Sequence, residues 1–128
     1  MTILKIFYDH LLDFFSDLLV VFPNDNDIKD ARKFLIGYRK INPKQIKDCW
    51  KYYITDRYKE KIYADYNEGY LFLINKNYDD DLVDLEESQY IAKKFINQIR
   101  GPLRKLDEKN RKKTMDYIKN ICKLSELG

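Results

Sequence analysis

The first segment of the chain, residues 3–22, is apolar at most positions and polar at positions three or four residues apart. The polar positions are Lys5, Asp9, Asp13, Ser16 and Asp17. Because residues at this spacing share one face of a helix, the pattern predicts a mostly buried helix with one solvated stripe. Pro23 ends the predicted helix, since proline has no amide hydrogen to donate.

Two further helices follow from capping residues and apolar spacing. The second is predicted from about Asp27 to Ile41, with Asn24, Asp25, Asn26 and Asp27 as candidate caps and Ile28, Ala31, Leu35 and Tyr38 on its apolar side, flanked by Phe34 and Ile41. Asn42 and Pro43 start the third, because asparagine caps free amides and proline suits the first helical position. Its apolar face repeats at helical spacing through Ile46, Cys49, Trp50, Tyr53, Ile54 and Tyr58.

The residues from position 63 onward are predicted to form an irregular connection and two more helices. Residues 63–78 lose the helical period and contain Gly69, so we expect a loop there with a short extended or 3₁₀ piece. The acidic run 79–81 suits a helix start, and Gly101-Pro102 suits its end. Its inward positions are Leu82, Leu85, Ala92, Phe95, Ile96 and Ile99. The last helix begins near Asp107 and buries Met115, Ile118, Ile121 and Cys122, with Leu124 at its edge.

Five helices with short connections predict an all-α fold, a compact bundle in one domain spanning residues 1–128. The charged positions within residues 3–22 argue against a secretory signal and against membrane insertion. Cys49 and Cys122 both fall on predicted buried faces, as reduced cysteines do. We therefore expect a protein that is not secreted.

The residue types exclude most enzyme chemistry. His10 is the single histidine, so no catalytic triad or clustered zinc site can be assembled, and the isolated glycines form no phosphate-binding loop. A calcium loop would use Asn75, Asn77, Asp79, Asp81 and Glu86, but Asp80 occupies its glycine position and an acidic helix start explains the same residues. The sequence predicts no catalytic residues, no metal site, no cofactor and no enzymatic activity.

Charge is segregated along the chain although the formal net charge is only +3. Residues 29–61 hold eleven Lys or Arg against four acids, residues 100–113 hold seven against two, and residues 79–87 hold six acids and no base. Candidate contact residues are Lys44, Lys47 and Lys51 on the third helix, and Arg104, Lys105, Lys109, Lys112 and Lys113 near the last. Such patches can bind phosphates or an acidic protein surface, but a solvated helix face is the default explanation.

Tyrosine is concentrated in the middle of the chain, with seven of the eleven between residues 52 and 78. Tyrosine suits interfaces because it buries apolar area and carries a hydroxyl that tolerates water. Candidate contact residues are Tyr63, Tyr66, Tyr70 and Tyr78. The alternative is that Tyr53 and Tyr58 face the core and the others pack the irregular segment onto the bundle.

The order of several short motifs resembles that of small helical proteins of nucleocytoplasmic large DNA viruses. The motifs are Phe22-Pro23-Asn24-Asp25, Asn42-Pro43-Lys44, Tyr58-Lys59-Glu60-Lys61-Ile62, residues 70–82 and the closing segment Leu106 to Leu124. The resemblance spans nearly the whole chain and involves caps and packing residues. It implies a viral protein of the host cytoplasm or of the virion, and it carries no established activity.

Two hypotheses of function follow. The first is a non-enzymatic interaction protein, such as a virion-associated or minor capsid component that bridges other viral structural proteins. The second is a nucleic-acid-associated protein that uses its basic faces in replication, transcription or genome packaging. An enzyme with an unrecognised site would need a cleft with converging polar groups.

Overall fold

The computed structural model describes residues 2–75, 98 and 100–127, and every regular element in these residues is helical. The helices are α1 Ile3–Val21, α2 Asn26–Ile41, α3 Pro43–Trp50, α4 Asp56–Tyr63, α5 Tyr66–Asn75 and α6 Glu108–Ser125, with a π-helical turn Lys51–Thr55 between α3 and α4. The predicted all-α fold is confirmed.

Four helices begin at side-chain caps that the sequence supplies. Thr2, Asp25, Asn42 and Asp107 each accept a hydrogen bond from the backbone amide three residues later. Each bond satisfies an amide that has no partner within the helix. The predicted starts of α2, α3 and α6 are therefore confirmed to within one residue.

Helix α1 packs against α2, α3 and α6. Its inward side chains are almost completely buried: Phe7, Tyr8, Leu11, Phe14, Phe15 and Leu18. Helix α2 runs antiparallel to it, since Arg39 forms an ion pair with Asp9 at 2.8 Å and Arg32 donates to Ser16 at 3.1 Å. The C-terminal end of each helix thus lies beside the N-terminal end of the other.

The predicted third helix corresponds to α3, the π-helical turn and α4 in continuous succession. All six of its predicted apolar residues are buried. The π-helical turn adds a residue to the helical repeat, and Thr55 within it is fully buried. After the turn the buried face continues through Tyr58 and Ile62.

The prediction of an irregular connection over residues 63–78 is wrong for residues 66–75, which form α5. Gly69 suggested a break in the helix, but it is a site of close packing. A Cβ added there would lie 2.8 Å from the Met115 methyl and 3.1 Å from the Lys61 carbonyl oxygen. Gly69 therefore lets α5 approach α4 and α6, which the sequence pattern could not reveal.

The predicted helix over residues 79–99 and the calcium pattern fall almost entirely outside the described residues. Gly101-Pro102 does not end the helical path, because residues 100–103 are helical and the chain turns at Arg104. The fixed φ of Pro102 is compatible with a helix, and Leu103 is buried at 4% exposure. None of the described helices has the length and apolar character needed to cross a membrane.

Candidate interaction groove between α1 and α6

A shallow groove lies where the end of α1 meets the beginning of α6. Its volume is about 100 Å³, and Phe14, Leu18 and Leu106 supply apolar lining. Pockets for small-molecule substrates commonly occupy about 300–1,000 Å³, so this groove is too small for most of them. It has the size to accept one or two side chains.

The two walls of the groove are joined by a small polar network. Lys113 on α6 forms an ion pair with Asp17 on α1 at 3.1 Å, and Tyr117 hydrogen bonds to Asp17. Partial burial would raise the pKa of Asp17, but the hydrogen bond from Tyr117 and the contact with Lys113 hold that pKa below its usual value. Burial and the Asp17 carboxylate raise the pKa of Tyr117 to about 12. Both groups are thus fixed in their ordinary charge states near neutral pH.

His10 lies next to this network, with its ring centroid 5.1 Å from that of Tyr117. Burial lowers the pKa of His10, and the nearby Asp13 carboxylate only partly opposes this. The imidazole therefore remains neutral at neutral pH and acts as a packing group against Tyr117.

Two valines form an apolar rim at the last turn of α1. Val20 is 80% exposed and Val21 is 37% exposed, and both line the groove. The apolar pattern of residues 3–22 predicts a buried position for both valines, and this prediction is wrong. One signal pointed to Val20, because it follows Asp13 and Asp17 at helical spacing and so continues the solvated stripe of α1.

Three exposed lysines lie at the start of α6, outside the lining of the groove. Lys105 precedes α6, and Lys109 and Lys112 occupy its first turns. Within the described part of the chain, none of the three takes part in an ion pair. Their charge is available to a partner, in agreement with their predicted place on the surface.

Two predicted contact residues instead stabilise the ends of helices. Lys47 is only 9% exposed, and its amine donates to the Ser125 carbonyl at 3.3 Å. Arg104 is exposed but donates to the Ile74 carbonyl, which Arg100 also contacts. Since the last carbonyls of a helix lack helical partners and carry partial negative charge, cations stabilise them. The prediction that Lys47 lies on an exposed face is wrong.

The other two predicted basic residues of α3 are paired within the chain. Lys44 contacts Asp48 at 2.7 Å, and Lys51 contacts Asp56 at 3.0 Å. With Lys47 buried, the predicted basic face of α3 is reduced to two neutralised lysines. Among the predicted basic contact residues, those with neither an ion pair nor a carbonyl partner in the described part of the chain are Lys105, Lys109 and Lys112, near the start of α6.

The described tyrosines among the predicted contact residues do not form one exposed surface. Tyr70 is 3% exposed, with its hydroxyl donating to the Leu103 carbonyl and the Arg111 guanidinium 4.8 Å from its ring, so a contact role for it is wrong. Tyr63 is 37% exposed, and burial together with nearby Cys122 and Glu126 raises its pKa to about 12. The side chain of Tyr66 and all of Tyr78 lie outside the described residues. Tyr52, which was not a candidate, is 57% exposed.

The opposite end of α6 carries a buried polar cluster. Thr55 and Ser125 share a hydrogen bond at 2.7 Å, and Trp50 donates to the Cys122 sulfur at 3.3 Å. Burial raises the pKa of Cys122, against the lowering effect of its hydrogen bonds with Thr55 and Trp50. The thiol therefore stays protonated and acts as a packing group.

No known protein-family model, curated protein sequence or solved structure matches this chain. Among the described residues, no three His, Cys, Asp or Glu side chains converge so as to hold a metal ion. The resemblance to large-DNA-virus proteins stays a prediction, and the groove is the arrangement on which a functional proposal can be based.

Proposed function

We propose that this is a non-enzymatic interaction protein that binds a larger protein through the α1/α6 groove and the lysines at the start of α6. Two observations support the proposal: Val20 and Val21 form an exposed apolar rim of the groove, and the start of α6 carries three exposed lysines that form no ion pair among the described residues. Apolar area supplies binding free energy, and nearby charges supply orientation and a faster encounter.

The resemblance to proteins of large DNA viruses suggests where this interaction takes place. In that setting the protein is a virion-associated or minor capsid component that contacts other viral structural proteins, in the particle or in the host cytoplasm. A small helical domain suits such a contact, since its buried side chains hold α1 and α6 in place around the groove.

Crosslinking mass spectrometry of purified particles tests this proposal with lysines as reporters. We expect Lys105, Lys109 and Lys112 to link to one abundant structural protein. Lys33, which is exposed on α2, is the matched control and should give few links to that protein. Absence of the protein from particles would contradict the virion setting, and links dominated by Lys33 would contradict the assignment of the groove.

A nucleic-acid-associated role is the second candidate, and the same unpaired lysines favour it. Binding through phosphate contacts weakens steeply with salt, by a logarithmic slope of roughly 0.9 per contact on duplex DNA. Titration of the protein with duplex and single-stranded oligonucleotides at low and high salt measures this slope. No binding at low salt would remove this candidate.

A further inference from the structure

We infer that the outer face of α6 binds the phosphate backbone of a double-stranded nucleic acid. This inference rests on the nucleic-acid-associated role and adds to it the binding surface and the form of nucleic acid. It does not depend on the protein contact at the α1/α6 groove. The binding surface, here named the α6 lysine stripe, consists of Lys109, Lys112, Lys119 and Lys123.

Helical geometry places the α6 lysine stripe on one face of α6. Its members are separated by three, seven and four residues, and these spacings return to the same side of a helix with 3.6 residues per turn. Lys119 is half-buried and the other three lysines are exposed. The opposite side of α6 is buried in the core through Met115, Ile118, Ile121 and Cys122. At about 1.5 Å per residue, the stripe extends over roughly 21 Å.

The positive charge of the α6 lysine stripe is available to a ligand. None of its lysines forms an ion pair within the described part of the chain. Asp116 and Asn120 are exposed on the same face, and Glu108 lies at its edge in the first turn. The lysines therefore outnumber the acids, and the face as a whole is positive.

The stability of α6 does not explain where these lysines lie. The N-terminus of a helix carries partial positive charge, which disfavours cations in its first turns. Lys109 and Lys112 nevertheless occupy the first two turns of α6, and at a spacing of three residues they also repel each other. Lys123, in the last turn, is at the end that the helix dipole favours. A bound anion would relieve the repulsion at the start of the stripe.

The composition of this face favours a duplex backbone over a protein or a single strand. Every exposed residue from 109 to 123 is charged or polar. Protein interfaces are depleted in lysine and depend on buried apolar and aromatic anchors, whereas phosphate binding depends on charge. Single-stranded nucleic acids are commonly bound by aromatic side chains on which their bases stack. A stripe of roughly 21 Å spans about six base pairs of a duplex, at 3.4 Å each.

Fluorescence anisotropy with the full-length protein tests this inference. The probe is a labelled DNA duplex of about 12 base pairs, and the comparison probes are one of its single strands and polyglutamate. We expect the duplex to bind with a logarithmic salt dependence of about 2.7–3.6, which corresponds to three or four phosphate contacts at roughly 0.9 each. The single strand should bind at least about fivefold more weakly, since the stripe offers no aromatic ring for stacking.

Two variants that each lose three exposed lysines locate the binding surface. The stripe variant combines Lys109→Gln, Lys112→Gln and Lys123→Gln, and the control variant combines Lys29→Gln, Lys33→Gln and Lys40→Gln on α2. At about 50 mM salt the stripe variant should bind the duplex at least about thirtyfold more weakly, and its salt dependence should fall by about 2.7. The control variant should lose less than about threefold. The melting temperature of the stripe variant should not fall, because glutamine forms helices about as well as lysine.

The outcomes separate this inference from both functional proposals. Equal losses of duplex affinity in the two variants would overturn the assignment to α6 and leave the nucleic-acid role standing. A single strand that binds as tightly as the duplex would overturn the choice of a duplex, and equal binding of polyglutamate would indicate an acidic protein as the ligand. If neither oligonucleotide binds at low salt, the inference and the nucleic-acid role both fail, while the protein contact at the groove is still decided by the particle crosslinks.

Discussion

The two ends of α6 use polar residues in opposite ways. At its C-terminal end, Thr55, Ser125 and Cys122 are buried and bonded to one another or to neighbouring helices. At its N-terminal end, Lys109 and Lys112 are exposed and form no ion pair among the described residues. A buried polar group must be satisfied within the fold, whereas an exposed charge remains available to a partner. The C-terminal end of α6 therefore serves stability, and its N-terminal end is the better candidate for binding.

The largest expected effect is on the free energy of unfolding when apolar atoms are removed near each end of α6. Ile121→Ala empties space in a fully buried site and should lower the free energy of unfolding by about 2–5 kcal/mol. Val20→Ala, at 80% exposure, should change it by less than about 0.5 kcal/mol. Urea unfolding followed by circular dichroism measures both. Similar values for the two variants would abolish the distinction.

The middle of α6 can be tested through the glycine that packs on it. Gly69→Ala places a methyl against Met115 and the Lys61 carbonyl, so we expect destabilisation of about 1–3 kcal/mol. Gly37→Ala in α2 is the matched control, because nothing lies within 4 Å of the added Cβ. It should stabilise by about 0.5–1 kcal/mol, since alanine favours a helix. Thermal unfolding should show melting temperatures that move in opposite directions, and equal shifts would contradict the close packing of α5.

The polar cluster should contribute a smaller amount than the apolar core. Thr55→Val replaces the hydroxyl by a methyl of similar size and removes the bond to Ser125. We expect a loss of about 1–2 kcal/mol in the free energy of unfolding. Ser125→Ala and the double variant complete a thermodynamic cycle, and additive losses would show that the two hydroxyls do not interact.

The smallest expected effect is the pH dependence contributed by His10. Burial lowers its folded pKa below 6.5, so the unfolded chain binds a proton more readily than the folded one. The associated stability is present above pH 6.5 and is lost as the pH falls through the folded pKa. Chemical unfolding at about pH 7.5 and about pH 5 measures the loss, and His10→Phe should reduce it while retaining a ring against Tyr117. If His10→Phe loses as much unfolding free energy between the two pH values as the unmodified protein, other groups cause the pH dependence.

The sequence by itself determined the helices whose signals are local. The caps at Asp25, Asn42 and Asp107 predicted where helices start, because each side chain bonds to an amide three residues away. The apolar spacing from Ile46 to Tyr58 predicted the buried face of α3 and its continuation. These features depend on neighbours along the chain, so a pattern of residue types is sufficient to predict them.

Tertiary structure decided the features that depend on contacts distant in sequence. Gly69 suggested a loop until Met115 and the end of α4 gave it a packing role. The sequence pattern predicts Lys47 in a solvated patch, but its amine donates to the Ser125 carbonyl at the end of α6 and the side chain is buried. Val20 lies in a groove because α6 packs beside the end of α1. Sequence fixes which residues can share a face, but only packing decides which faces are covered, because burial depends on the partner element.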